Sequence, residues 1–95
     1  MPLPFSGLIK LSEECGELVQ AAMKRITCNK ETHWDGSNLN ERLADEIADV
    51  TAAMDVVINE LDLDVDRIND RADRKRKLFE YWLDGGESTT LQEGK

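Results

Sequence analysis

Residues 38–61 read NLNERLADEIADVTAAMDVVINEL, and this stretch decides the fold class. Leu39, Leu43, Ile47, Val50, Met54, Val57, Ile58 and Leu61 recur mostly at steps of three and four, the period of an amphipathic helix rather than the alternation of a strand. Asn38, followed three residues later by Glu41, has the form of a capping box that starts a helix. A long helix running from there to about Glu60 is the expected spine of the molecule.

On the N-terminal side, Leu8, Leu11, Cys15, Leu18, Ala22 and Ile26 carry the same period and predict a first helix from about Ser6 to Arg25. Between the two, Thr27 to Ser37 has no period and carries Asn29, Asp35, Gly36 and Ser37, so it reads as a loop. On the C-terminal side, Asp62 to Asp64 form a short connection. Val65, Ile68, Ala72, Phe79 and Leu83 then trace a third helix that stops before Gly85-Gly86. No strand-like alternation occurs, so the expected class is all-α: one domain over residues 1–86 and a polar tail, Glu87 to Lys95, that frays. Three helices of this length leave apolar stripes uncovered in a single copy. The expected assembly is therefore a homodimer or homotetramer that builds four-helix bundles.

Composition narrows the function. Ninety-five residues supply one core. Twelve Lys and Arg against twenty Asp and Glu leave a formal charge of -8, the wrong sign for gripping a nucleic-acid polymer. Cys15 and Cys28 are too few for a disulfide framework and have no CxxC partner for zinc. No segment resembles a signal peptide or approaches the roughly eighteen apolar residues of a membrane span. The expectation is a cytoplasmic, reduced chain with no membrane partner. His33 is the one histidine, which excludes a multi-histidine metal site or a His-based triad within one chain.

Two carboxylate pairs carry the chemistry. Glu14 and Glu17 lie three residues apart on the first helix, and Glu46 and Asp49 do the same on the second, so each pair shares a helix face. At about 100° per residue, Glu14 falls just beside the Leu11/Leu18 stripe and Glu46 just beside the Leu43/Val50 stripe, at the margin of a packed face. The surrounding segments match in register: Glu14-Cys15-Gly16-Glu17-Leu18-Val19-Gln20-Ala21 against Glu46-Ile47-Ala48-Asp49-Val50-Thr51-Ala52-Ala53. Small residues at Gly16 and Ala48 are expected to let two antiparallel helices approach closely, because a glycine inside a helix costs roughly 1 kcal/mol against alanine and needs a reason. Four carboxylates brought to one spot repel, and a cation resolves the repulsion. Hard oxygen ligands without His or Cys suit Mg²⁺, with Mn²⁺ as a substitute, and Mg²⁺ commonly completes its shell with substrate phosphates.

The pattern EExxE, a spacer, then ExxD, present as Glu13-Glu14-Cys15-Gly16-Glu17 and Glu46-Ile47-Ala48-Asp49, resembles the metal-binding signature of the MazG-like all-α NTP pyrophosphatases. The resemblance covers about residues 8 to 83. It implies hydrolysis of a nucleoside triphosphate to its monophosphate and pyrophosphate, in control of a dNTP pool or in house-cleaning. It also implies that Glu14, Glu17, Glu46 and Asp49 hold the metal, with Glu14 or Glu46 as the catalytic base. Glu13 matches the leading acid but falls nearly opposite the apolar stripe.

Substrate contacts are read from chemistry alone. Lys75 lies inside the Ile68/Ala72/Phe79 stripe and Arg71 at its edge, and both are candidates for gripping phosphate, against ordinary ion pairing with Asp70, Asp73 or Glu80. Trp34, beside His33 in the loop, is a candidate platform for a nucleobase. Asn38 is a candidate for reading a base edge, although it already has the work of a helix cap. Cys15 reads as a small core residue rather than a nucleophile. Two rival readings stay open: a non-catalytic acidic helical interaction module, and a phosphoribosyl-ATP-type pyrophosphohydrolase of the same superfamily.

Overall fold

A computed structural model describes residues 5–28 and 36–85. Among them the structure is all-helical, with α1 over Ser6–Cys28, α2 over Leu39–Leu61 and α3 over Val65–Leu83, and no strand. The chain divides into two compact units, one ending at Leu63 and one beginning at Asp64.

The first unit is an antiparallel pair of helices. At one end Asn38 takes the extended conformation of a helix cap, and its side-chain oxygen accepts from the Glu41 N–H at 3.0 Å. Nearby, the Arg25 Nε–H donates to Asn40 Oδ1 at 3.0 Å, tying the last turn of α1 to the first turn of α2. At the other end the first turn of α1 has no acidic residue of its own, and Glu60 of α2 supplies one. Its carboxylate accepts from the Gly7 N–H at 2.8 Å and from the Ser6 hydroxyl at 3.3 Å, placing a negative charge on the positive end of α1. A Cβ at Gly7 would lie 2.0 Å from Glu60 Oε1, so a larger residue there would displace the carboxylate from this contact.

The packed seam keeps Leu11, Leu18, Leu39, Leu43, Val50 and Val57 from the expected apolar stripes but is rotated slightly, taking in Glu14, Ala21, Glu46 and Ala53 as well. On α1 the seam runs through Gly7, Leu11, Glu14, Leu18, Ala21 and Arg25 and on α2 through Leu39, Leu43, Glu46, Val50, Ala53 and Val57, with Ser6, Ala22, Cys28 and Ile58 partly covered beside it. Both advance by alternating fours and threes, the seam of a coiled coil. Glu14 and Glu46 are thus members of the covered stripe rather than its neighbours. Conversely, Cys15 is exposed and is not a core residue; Ile26 is 68% exposed and Ile47 54%. The rotation has a simple cause. Each helix carries two apolar stripes one residue apart, and periodicity alone cannot say which one meets the partner.

Two further expectations are corrected. Thr27 and Cys28 belong to α1, where the Thr27 hydroxyl donates back to the Met23 carbonyl at 3.0 Å, so the helix outlasts the apolar period that was used to end it. Gly16 is exposed and a Cβ there would meet nothing within 4 Å, and Ala48 is also exposed, so neither small residue allows the helices to approach. Ala21 and Ala53 do that instead, both buried at the seam.

The helix ends follow local chemistry. Asp62 closes α2 in the left-handed conformation at φ 50°, with its N–H and that of Leu63 returning to the Ile58 carbonyl. Asp64 caps α3 by accepting from the Arg67 N–H at 3.0 Å. Gly85, at φ 89°, follows the last turn of α3 and bonds back to Trp82 at 3.1 Å. Within α3, Leu78 is buried and Ala72, Lys75 and Trp82 are partly covered, whereas Val65, Ile68, Phe79 and Leu83 of the expected stripe are exposed. No helix of the described residues is long and apolar enough to cross a membrane.

Candidate metal centre

Halfway along the α1/α2 pair, the seam carries acids where the rest of it carries apolar side chains. Glu14 and Glu17 come from one helix and Glu46 and Asp49 from the other. One carboxylate oxygen from each lies within 4.8 Å of all the others. The four residues singled out from spacing therefore meet at one place, and they do so because i, i+3 pairs on antiparallel helices face each other.

The four are not equivalent. Glu14 and Glu46 are partly covered, and Glu17 and Asp49 are exposed. The Glu14 side chain is only 15% exposed. One oxygen of Glu14 and one of Glu46, Oε2 in both cases, is closed off from solvent without a hydrogen-bond partner. Unpartnered carboxylate oxygens are costly to bury, so this arrangement calls for a proton or a cation. Accordingly both residues hold their protons above the ordinary carboxylate value of 4.5. Loss of solvation is the largest cause for each, followed by the charges of Glu17 and then Asp49, and a hydrogen bond to Glu17 acts in the same direction. Lys10 opposes the shift at Glu14, and Arg42 opposes it at Glu46.

These residues fit a hard divalent ion. All four donors are oxygens, which suits Mg²⁺, Mn²⁺ or Ca²⁺ rather than a soft metal. Beside the quartet an open groove of about 250 Å³ is lined by Lys10, Glu14, Asp49, Ala52, Ala53 and Val56.

The remaining candidates are not members of the quartet. Glu13 is exposed and pairs with Lys10 at 3.3 Å, in keeping with its place away from the seam. Asn38 caps α2, eight residues before Glu46 and so about 12 Å away along the helix. Arg71 and Lys75 belong to the second unit, where Arg71 is exposed and the Lys75 ammonium lies 5.9 Å from the centre of the Phe79 ring, a cation–π contact. Trp34 and His33 lie outside the described residues.

Lys10 and Arg42 were missed in the sequence. Their signal is nonetheless there: each precedes a seam glutamate by four residues, one helical turn, at matching places in the two similar segments. Compared with protein-family models, with curated proteins and with solved structures, the chain matches none.

Proposed function

We propose that this chain is a Mg²⁺-dependent nucleoside triphosphate pyrophosphohydrolase of the MazG-like kind, converting a (d)NTP and water to a (d)NMP and pyrophosphate. One observation carries the reading: four carboxylates from two helices converge within 4.8 Å, and two of their oxygens are buried without partners. A solvated acidic surface has no reason to bury them. When bound, the ion neutralises the carboxylates and the triphosphate together and polarises the phosphoryl group under attack.

The chain's own residues divide the work. Glu14 and Glu46 hold the ion from the seam, and one of them takes the proton of the attacking water. Glu17 and Asp49 hold it from the solvent side, where the substrate arrives. Arg71 and Lys75 are assigned to phosphate, Trp34 to stacking on the base and Asn38 to a base edge. The exposed Val19, Ile26 and Ile47 supply apolar surface for the homodimer or homotetramer in which the enzyme works in the cytoplasm, for dNTP pool control or house-cleaning.

The test is a screen of the purified protein with Mg²⁺ against canonical and modified (d)NTPs, reading pyrophosphate release. Turnover is expected with at least one of them, vanishing in EDTA and in Glu46→Gln and Asp49→Asn. Full turnover in both variants would sink the assignment. Hydrolysis confined to a phosphoribosyl nucleotide would transfer the same site to the related reaction class. The non-catalytic interaction module is favoured by the same exposed apolar residues; it predicts no nucleotide hydrolysis and no change of melting temperature with Mg²⁺.

A further inference from the structure

The groove beside the quartet is asymmetric in a way that points to its use. Its lining joins Ala52, Ala53 and Val56, small side chains without polar atoms, to the carboxylates of Glu14 and Asp49. Of its lining side chains only that of Lys10 is positively charged. The positions that match Ala52 and Val56 on the other helix are Gln20 and Lys24, longer side chains that leave less room, so the two flanks of the quartet differ chemically.

Lys10 is placed to change partners. Its ammonium reaches Glu13 at 3.3 Å and Glu14 at 4.0 Å, and its side chain is 61% exposed. Exposed pairs of this kind contribute little and reorganise readily. A divalent ion among the carboxylates would neutralise Glu14 and repel the ammonium. A phosphate chain laid over the alanines would then offer the nearest anionic oxygens.

We propose that Lys10 binds the phosphate chain of the substrate in the groove over Ala52, Ala53 and Val56, exchanging Glu13 and Glu14 for phosphate oxygens once the quartet holds its ion. This rests on the proposed function and adds to it a phosphate-binding residue on α1.

Calorimetry on the full chain with two probes, Mn²⁺ alone and inorganic tripolyphosphate in the presence of Mg²⁺, tests the assignment in Lys10→Met and Lys10→Arg. Lys10→Met is expected to weaken tripolyphosphate binding about ten- to a hundredfold, the value of a hydrogen bond to a charged group, with most of it recovered in Lys10→Arg. Mn²⁺ alone should bind Lys10→Met at least as tightly as the unchanged protein, because a competing cation has been removed. Undiminished tripolyphosphate binding by Lys10→Met overturns the assignment, as does an equal loss of Mn²⁺ and tripolyphosphate affinity. If the unchanged protein binds Mn²⁺ but no tripolyphosphate, Lys10 loses its role while the metal site stands. If it binds neither probe, the quartet's reading falls and the Lys10 assignment falls with it.

Discussion

The segment Glu14 to Ala21 on α1 and the segment Glu46 to Ala53 on α2 lie 32 positions apart, and burial treats them almost identically. Leu11 and Leu43, Glu14 and Glu46, and Leu18 and Val50 are partly covered in step, and Ala21 and Ala53 are both buried. Glu14 and Glu46 each keep one carboxylate oxygen closed off without a partner. Two copies of one pattern, run antiparallel, place the first acid of each against the second acid of the other. A pair of acids that is unremarkable on one helix becomes a four-carboxylate cage on two. The segments differ outside the seam, at Cys15 against Ile47, Gly16 against Ala48, Val19 against Thr51 and Gln20 against Ala52, and there the likeness of the halves ends.

The largest expected effect tests the equivalence of the acids. Glu14→Gln and Glu46→Gln should each lower Mg²⁺-dependent turnover on the order of a hundredfold or more, and each should abolish the rise in melting temperature that Mg²⁺ produces. A large loss in only one of them would break the symmetry of the site and identify that residue as the base. Next come the paired alanines. Ala21→Leu and Ala53→Leu overfill the same seam and should each cost about 1 to 3 kcal/mol in urea unfolding. Unequal costs would show that one side of the seam yields more easily.

Gly16→Ala sharpens the comparison by making the α1 segment resemble the α2 segment, which already has Ala48. With open space around Gly16, it should raise stability by about 1 kcal/mol and leave Mn²⁺ affinity unchanged. A loss of stability would mean that another molecule packs on that face in solution.

The smallest effect is in pH. Glu14 and Glu46 have folded values raised above 4.5, so over the window from 4.5 to those values the folded chain holds protons that the unfolded chain has released. The contribution of these two groups is therefore greatest below that window, and stability declines as pH rises through it. Metal-free protein should melt lower at neutral pH than near pH 4.5 on their account. Mg²⁺ should reverse the trend, because protons compete with the ion for the same oxygens. Thermal melts in EDTA and in Mg²⁺ across that range check both signs, and Glu46→Gln should flatten the metal-free slope.

Much of this was legible in the chain. Asn38 and Glu41 announced the start of α2, Gly85-Gly86 lay just past the end of α3, and the i, i+3 acids placed each pair on one face, because capping and helical period are local properties of a few neighbouring residues. The quartet's membership followed from that local geometry and the match between segments. What spacing missed was a small rotation of each inward side, which kept Leu11, Leu18, Leu39, Leu43, Val50 and Val57 but turned other apolar residues out. Cys15, Ile26 and Ile47 satisfy the apolar period as well as their neighbours do, yet they are exposed.

By itself, then, the sequence determined three helices and the acids that share a face on the first two, since hydrogen bonding to residue i−4 and chain stiffness act within a turn or two. Only the tertiary pairing decided the rotation of α1 against α2. That rotation put Ala21 and Ala53 at the seam rather than Gly16 and Ala48, carried Glu14 and Glu46 into partial burial, and set Lys10 beside the alanine groove. The physical reason is that burial is a property of two surfaces together: each helix offered two nearly equal stripes, and the small residues that let the backbones close chose between them.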